Sequence, residues 1–296
     1  MSGGTRTAWL VTGARGQLGH DLLEVLAGRP GDDVTAVSRA EVDLTDEASV
    51  RGAVGRWLDG VRADRAVVVN AAAYTAVDAA ETDEGTALLV NGRAPGWLAE
   101  ELAGRGRLVH VSTDYVFDGR ASRPYPVDAP TAPRSAYGRT KAAGERAVAA
   151  AGGDACVVRT AWVHGRHGGN FVRTMTALEA SRETVSVVTD QVGAPTWSAD
   201  LAACLVELGL REDAVPPVLH CTNAGQVSWH GLAQAVFEEL GADSARVLPT
   251  TTEAFPRPAP RPAYSVLDLS AWHATGLTPP RPWRAALHAA MAARPA

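Results

Sequence analysis

LVTGARGQLGHDL, residues 10–22, carries three glycines, at positions 13, 16 and 19. The stretch follows the apolar run AWLVT (8–12) and leads into a segment rich in leucine. A buried strand, a glycine loop and a helix in this order bring backbone N–H groups and a helix N-terminus to one point, which favours an anion such as a pyrophosphate. The sequence therefore predicts a dinucleotide cradle, and the alternative is a loop whose glycines serve only the turn.

Four further short, valine-rich runs follow along the chain. They are VTAVS (34–38), AVVVN (66–70), RLVHVS (107–112) and ACVVRT (155–160). Runs of this kind predict strands that are buried on both faces. Helices are predicted between the runs, at roughly 17–28, 46–58, 83–104 and 135–151. This alternation predicts an α/β fold of Rossmann type, a doubly wound parallel sheet with helices on both faces.

The regular alternation fades after about residue 165. We therefore predict a NAD(P)-binding Rossmann domain over 1–165 and a smaller, mainly substrate-binding region over 166–296. A strand and a helix from about 198–223 are expected to join the first domain. Prolines at 256, 258, 260 and 262 predict an extended loop, because none of them can donate a backbone hydrogen bond.

Bulk composition excludes several classes of protein. The net charge is −5, so no basic excess recruits nucleic acid. The three cysteines lie far apart without a C-x-x-C pair, which favours a reducing cytoplasm over a disulfide framework or a zinc site. We find neither a signal-peptide pattern at the N-terminus nor an apolar stretch of about 18 residues, so no membrane span is expected.

The end of the second predicted strand indicates which dinucleotide binds. NAD enzymes usually place an acidic residue there to bind the ribose 2′-hydroxyl. Here that place holds Ser38 and Arg39, and Arg15 of the glycine loop adds a second cation. A cation suits a 2′-phosphate, so NADPH is favoured over NADH, which is kept as the alternative. Asp43 and Leu44 follow as candidate adenine contacts, and solvated arginines without a role are the competing interpretation.

AYGRTKAAGE (136–145) holds Tyr137 and Lys141 one helical turn apart, so both side chains project from one face. A free tyrosine has a pKa near 10, and a nearby ammonium lowers it toward the range of acid–base catalysis. The pair recurs by chance in many sequences, so its setting decides. Ser112 and Thr113 end the fourth predicted strand at the sheet edge where ligands bind, and a hydroxyl there can hydrogen-bond a substrate carbonyl.

Four motifs together resemble the extended short-chain dehydrogenase/reductase superfamily, and within it the dTDP-4-dehydrorhamnose reductase family. The motifs are Gly-x-x-Gly-x-x-Gly, N-A-A-A-Y-T-x-V-D (70–78), S-T-D-Y-V-F-D-G (112–119) and Y-G-x-T-K-x-x-G-E (137–145). The resemblance continues through residues 159–172, 190–202 and 261–268 and covers nearly the whole chain.

This resemblance implies a set of roles. The implied catalytic residues are Thr113, Tyr137 and Lys141. The implied cofactor contacts are the glycine loop (Gly13, Arg15, Gly16, Gln17, Leu18 and Gly19), Asp43, Leu44, Ala71, Ala72 and Tyr74, and the residues discussed above add Ser38, Arg39, Tyr137 and Lys141. The implied substrate contacts are Asp114, Trp162, Asn170 and the turn that runs from Gln191 to Thr196. The position of Ser112, Thr113 and Tyr137 at the sheet edge adds these three, and Arg261 in the proline loop is a further candidate. The implied reaction is NADPH-dependent reduction of the C4 ketone of a dTDP-linked 4-keto-6-deoxyhexose, such as dTDP-4-dehydro-L-rhamnose.

Several alternatives stay open at this point. The alternatives for Trp162 are stacking on a sugar ring or packing in the core, and those for Asp114 are substrate binding or capping of a turn. Arg261 is expected either to bind a diphosphate or to lie in solvent.

Two other functions compete with that of a reductase. The first is an epimerase or dehydratase of the same superfamily, which Arg39 argues against, and the second is a catalytically silent NADP-binding regulatory subunit. Which sugar is reduced and whether the chain forms a homodimer also stay open.

No metal site is predicted. His164 and His167 lie three residues apart, but no carboxylate or cysteine completes a ligand set near them. Enteric members of the family are associated with Mg²⁺ that bridges a dimer through glutamates. Here His20 and Asp21 follow the glycine loop where those members carry a glutamate.

Overall fold

The computed structural model describes residues 5–293, so the predicted domain limits at residues 1 and 296 lie outside the described residues. The strands are β1 Thr7–Thr12, β2 Asp33–Val37, β3 Arg65–Asn70, β4 Arg107–Thr113, β5 Asp154–Thr160, β6 Val163–His164, β7 Val185–Val188, β8 Val192–Gly193, β9 Thr196–Trp197, β10 Val218–His220, β11 Val227–Ser228 and β12 Val247–Thr250. The α-helices are α1 Gln17–Ala27, α2 Glu47–Gly60, α3 Glu84–Leu88, α4 Ala94–Leu102, α5 Ala136–Ala151, α6 Phe171–Ser181, α7 Ser198–Leu210, α8 Trp229–Glu239, α9 Ser270–Ala274 and α10 Trp283–Ala292. Shorter helical segments are the 3₁₀ turns Ala79–Glu81, Asp114–Val116 and Ser244–Arg246 and the π-helical segment Leu89–Arg93.

The central sheet has six parallel strands in the order β10-β5-β4-β3-β1-β2. The chain runs outward from β1 to β2 and then crosses back past β1 to β3. The carboxyl ends of β1 and β3 therefore form a topological switch point, which is where open α/β sheets bind their ligands. The predicted α/β class with a parallel sheet is confirmed.

Neighbouring residues of β1 enter different hydrophobic cores, because successive side chains of a strand point to opposite faces of the sheet. Trp9 packs in the core that contains Leu22 of α1. Leu10 packs in the core that contains Val54 of α2 and Leu98 of α4. All five side chains are buried, and each contributes about 1.5–3 kcal/mol by leaving water. Helices thus cover both faces of the sheet.

Strand β2 does not match the prediction of burial on both faces made for residues 34–38. Four of its five residues are exposed, and Val34 keeps 40% of its accessible surface. Among the described strands β2 pairs only with β1, so it forms an edge of the sheet. An edge strand lacks a neighbour on one side, which explains why an apolar run alone predicted too much burial here.

The C-terminal part of the chain contributes to two places. Strand β10 pairs with β5 at one edge of the central sheet, and α7 packs against α1. A separate core joins α6, β7, α8, β12 and α10 through Val172, Val187, Phe237, Val247 and Leu287. Neither helix nor strand forms over 256–262, as the prolines predict. No helix within residues 5–293 combines the length and the apolar character needed to cross a membrane.

Candidate active site

A cleft of about 1220 Å³ opens over the carboxyl ends of β1, β3, β4 and β5. It begins at the switch point and extends to the first turns of α5 and α8. Most of the residues that the sequence singled out line this cleft. They are Gly13, Arg15, Gly16, Gln17, Leu18, Ser38, Arg39, Asp43, Leu44, Ala71, Ala72, Tyr74, Ser112, Thr113, Asp114, Tyr137, Lys141 and Trp162.

The glycine loop has no room for side chains at two of its three glycines. Gly13 has φ +68°, and a Cβ there would lie 2.8 Å from the backbone nitrogen of Ala72. A Cβ on Gly19 would lie 2.2 Å from the carbonyl oxygen of Gly13. Gly19 therefore lets α1 pack against the loop and does not itself line the cleft. This close backbone packing beside the N-terminus of α1 fits a pyrophosphate.

Two cations stand at the end of β2. Arg15 and Arg39 are exposed and border the cleft. Within residues 5–293 neither guanidinium forms a hydrogen bond or an ion pair within 4 Å. Asp43 borders the same cleft, and its Oδ1 accepts hydrogen bonds from the backbone nitrogen (2.8 Å) and hydroxyl (2.7 Å) of Thr45. The two arginines fit a 2′-phosphate and so fit NADPH.

The loop after β3 is held by the π-helical segment. The buried Asn91 side chain accepts a hydrogen bond from the Tyr74 nitrogen (2.8 Å) and donates one to the Tyr74 carbonyl oxygen (3.1 Å). A Cβ on Gly144 of α5 would lie 2.1 Å from the Asn91 carbonyl oxygen, so only glycine allows this approach. Sequence reasoning missed Asn91, although single π turns are frequent at functional sites.

Tyr137 is placed by the start of α5. Ser135 caps this helix, with its Oγ accepting from the nitrogen of Gly138 (3.1 Å). The nitrogen of Ala136 donates to Glu81 Oε1 (2.8 Å). These bonds satisfy donors that a helix N-terminus otherwise leaves free, and they hold the first turn in a fixed position. The Tyr137 ring therefore enters the cleft from a rigid element.

Burial dominates the electrostatics of the tyrosine and lysine. It raises the pKa of Tyr137 to about 12, and a hydrogen bond with the Thr113 side chain acts in the opposite direction. Burial lowers the pKa of Lys141 to about 8. Lys141 Nζ donates to the carbonyl oxygen of Val111 on β4 at 2.6 Å. The structure thus differs from the expected lowering of the tyrosine pKa, because burial of the phenol outweighs the hydrogen bond that favours its ionised form.

Thr113 and Asp114 form a buried pair at the end of β4. Thr113 Oγ1 donates to Asp114 Oδ1 at 2.9 Å and accepts from the nitrogen of Tyr115 at 3.2 Å. Thr113, and not Asp114, is therefore the residue that caps the following turn. Asp114 is 2% exposed, and burial raises the pKa of its carboxyl to about 6.

The Ser112 hydroxyl, although Ser112 borders the cleft, is already engaged by a side chain of α5. Its Oγ donates to Glu145 Oε1 at 2.6 Å. Glu145 also forms a buried two-point ion pair with Arg159 of β5, at 2.9 Å (Nε to Oε1) and 2.7 Å (Nη2 to Oε2). Sequence reasoning missed both Glu145 and Arg159. A signal existed for Glu145, since it follows Lys141 by the same four-residue step that separates Lys141 from Tyr137.

Two tryptophans form a wall of the cleft. The rings of Trp162 and Trp229 stack with centroids 3.5 Å apart and planes 5° from parallel. Trp162 has φ +48°, which is the left-handed region that non-glycine residues rarely adopt. A Cβ on Gly193 would lie 2.4 Å from the Trp162 ring, so glycine is needed behind it. Strained residues of this kind cluster at functional sites. Trp229 was not predicted.

Two residues predicted to bind the substrate, Asn170 and Gln191, do not line the cleft and instead form hydrogen bonds within the protein. Asn170 caps α6, with its Oδ1 accepting from the nitrogen of Arg173 (3.0 Å), and its Nδ2 donates to Gln17 Oε1 (2.7 Å). Gln191 Nε2 donates to Thr252 Oγ1 (2.9 Å). Asn170 thereby ties α6 to the glycine loop. Their roles toward a substrate stay predictions.

Arg261 also lies outside the main cleft. It borders a smaller pocket of about 240 Å³ that shares Tyr115 with the cleft. Its Nη2 forms an ion pair with Asp78 Oδ2 at 2.9 Å, and Arg257 approaches the same oxygen at 3.5 Å. A contact of Arg261 with a diphosphate stays a prediction, and Asp78 occupies part of its guanidinium in this structure.

The histidines of the HGRH stretch are separated. His164 is buried, whereas His167 stacks on His20 with ring centroids 4.1 Å apart. Within residues 5–293 no group of three or more histidine, cysteine or acidic side chains is arranged to hold a metal ion.

Comparisons with known proteins agree with this geometry. The family model described as the RmlD substrate binding domain matches residues 7–294. A probable dTDP-4,6-dihydroxy-2-methyloxan-3-one 4-ketoreductase of Streptomyces antibioticus is 53% identical, over 95% of this chain and 94% of that protein. A dTDP-4-dehydrorhamnose reductase of Streptomyces griseus is 51% identical, over 97% and 94%. The crystal structure of a Bacillus anthracis dTDP-4-dehydrorhamnose reductase in complex with NADP superimposes with a TM-score of 0.89 at 32% identity, over 97% and 99%. This chain belongs to the dTDP-4-dehydrorhamnose reductase (RmlD) family.

Proposed function

We propose that this chain is an NADPH-dependent oxidoreductase that reduces the C4 ketone of a dTDP-4-keto-6-deoxyhexose, such as dTDP-4-dehydro-L-rhamnose. One observation carries the proposal. Thr113, Tyr137 and Lys141 line the same cleft whose other end holds the glycine cradle and the two unpaired arginines. A hydride donor and a proton donor can therefore act on one carbonyl group.

In the proposed mechanism NADPH supplies the hydride that reaches the carbonyl carbon. Tyr137 donates its phenolic proton to the carbonyl oxygen as alkoxide charge develops. Thr113 lines the cleft together with Tyr137 and opposes the rise of the Tyr137 pKa, so it is the group proposed to orient the phenol. Lys141, one turn along α5, supplies the positive charge that stabilises the resulting phenolate.

The same cleft supports the proposed contacts with the substrate. Asp114 and Trp162 border it beside the proposed catalytic residues, and Trp229 extends the apolar wall. A flat indole face suits the apolar face and the methyl group of a 6-deoxysugar. Asn170, Gln191 and Arg261 remain proposed contacts that require their present partners to be exchanged.

An NADPH-oxidation assay across a panel of dTDP-4-keto-6-deoxyhexoses tests the proposal, with the C4 configuration of the product read by NMR. We expect stoichiometric consumption of NADPH and a roughly 10²- to 10⁴-fold lower kcat for Tyr137→Phe. A variant as fast as the parent refutes the mechanism. Cofactor that co-purifies and is never consumed indicates an epimerase or dehydratase, and binding without turnover indicates a regulatory subunit.

We also propose a cytoplasmic location and a homodimer. The cysteines Cys156, Cys204 and Cys221 are buried and free, which suits a reducing compartment. The exposed edge strand β2 offers unpaired backbone groups to a second copy. Sedimentation analysis of the purified chain checks the dimer, and a single species of 30.9 kDa contradicts it.

A further inference from the structure

One anion already occupies the donors at the end of β2. The backbone nitrogen of Ser38 donates to Glu41 Oε2 at 2.7 Å, and the Ser38 hydroxyl donates to the same oxygen at 2.6 Å. The turn is closed by the nitrogen of Glu41, which donates to the carbonyl oxygen of Ser38 at 3.1 Å. Two donors thus converge on one carboxylate oxygen.

These donors belong to the part of the cleft that carries unpaired positive charge. Ser38, Arg39 and Arg15 all border the cleft. The hydrogen bonds from Ser38 hold the pKa of the Glu41 carboxyl below its ordinary value, with a smaller contribution from the charge of Arg15. Glu41 is therefore ionised at neutral pH. A phosphate is recognised by the same groups, namely hydroxyl and backbone N–H donors beside guanidinium groups.

Resting on the proposed use of NADPH, we propose that Glu41 is a specificity-determining residue that competes with the cofactor 2′-phosphate for Ser38 and thereby narrows the preference for NADPH over NADH. When a 2′-phosphate binds to Ser38, the Glu41 carboxylate has to leave the Ser38 donors, and the phosphate then lies close to this second negative charge. A 2′-hydroxyl brings no charge, and a carboxylate can accept its hydrogen bond.

The opposite role for Glu41 would be to orient an arginine for the phosphate. The contacts do not favour it, since Glu41 forms no ion pair within 4 Å with Arg15 or Arg39 among the described residues, whereas Ser38 holds it by two short bonds. Removal of the carboxylate should consequently free the donors and leave both arginines in place.

Dissociation constants of NADPH and NADH, measured by titration calorimetry without substrate, test this inference. For Glu41→Ala we expect NADPH to bind more tightly, on the order of fivefold, and NADH to bind equally or more weakly. Glu41→Gln is expected to act in the same direction with a smaller change. The matched control is Glu47→Ala, since Glu47 is also exposed and pairs with Arg51 on α2 outside the cleft. This control should leave both constants unchanged.

A second variant links the effect to the proposed donor. In the Glu41→Ala background, Ser38→Ala should raise the NADPH dissociation constant again, because the freed hydroxyl is then lost. If the parent chain binds neither dinucleotide, the proposed function fails and the inference fails with it. If the parent binds NADPH but Glu41→Ala leaves the ratio of the two constants unchanged, or shifts it toward NADH, the inference alone is overturned. Melting curves of each variant confirm that it is folded.

Discussion

Replacement of Glu145 by glutamine should destabilise the fold far more than an ordinary ion-pair deletion. The carboxylate accepts two hydrogen bonds from Arg159 and one from Ser112, and the side chains of Glu145 and Arg159 are only 9% and 5% exposed. Glu145→Gln keeps the size of the side chain but leaves the guanidinium buried without a counter-charge. Breaking a buried pair in this way lowers the free energy of unfolding by about 3–5 kcal/mol.

The chain offers a matched control on the same helix. Arg139 of α5 makes a two-point ion pair with Glu84, at 2.8 and 2.7 Å, but both side chains are more than 40% exposed. Exposed pairs contribute about 0–1 kcal/mol, so Glu84→Gln should have a small effect. Urea unfolding followed by tryptophan fluorescence gives both values by linear extrapolation. Equal losses for Glu145→Gln and Glu84→Gln would refute the reasoning that burial decides the effect.

Three further predictions concern the cleft. Gly13→Ala should weaken NADPH binding at least about tenfold, since φ +68° and a 2.8 Å contact with Ala72 exclude a Cβ; calorimetry showing an unchanged constant contradicts this. Asp114 has a folded pKa of about 6, above the unfolded value near 3.9, so the folded state holds its proton longer and stability falls as pH rises from about 4 to 6. In urea titrations at pH 4.5 and 7, Asp114→Asn should lose this change of unfolding free energy with pH. The same change with pH in the parent and the variant would contradict the prediction. Trp229→Ala should raise KM for the sugar nucleotide more than it lowers kcat, because the Trp162 ring loses the ring that stacks on it at 3.5 Å. Steady-state kinetics measure both constants, and an unchanged KM would contradict the prediction.

Local sequence was sufficient for the elements of the sheet. The predicted strands and helices of the first 160 residues coincide with those of the structure within a few residues, because each is a short apolar run or an amphipathic segment bounded by glycine or capping residues. The edge strand β2 is the exception. Its residues have the composition of a buried strand, but burial depends on which strands become neighbours, and that is decided by the order of the whole sheet.

The residues of the candidate site also fall into those that local sequence predicts and those that it does not. Tyr137 and Lys141 were predictable from a four-residue step on one helix, and the glycine loop from its place between a strand and a helix. Asn91, Trp229 and Arg159 were not, since each meets its partner across a long sequence separation, such as the 67 residues between Trp162 and Trp229. No periodic pattern marks such contacts.

The sequence by itself determined the α/β class, the dinucleotide cradle and the tyrosine–lysine pair, because those features rest on interactions between residues a few positions apart. Only the tertiary structure decided the pKa values and the hydrogen-bond partners of these groups. Burial raises the pKa of Tyr137 and lowers that of Lys141, and the packing of α5 against β4 directs Lys141 to a backbone carbonyl and Ser112 to Glu145. Desolvation and hydrogen-bond direction are properties of the assembled environment, so residue types and spacing alone do not determine them.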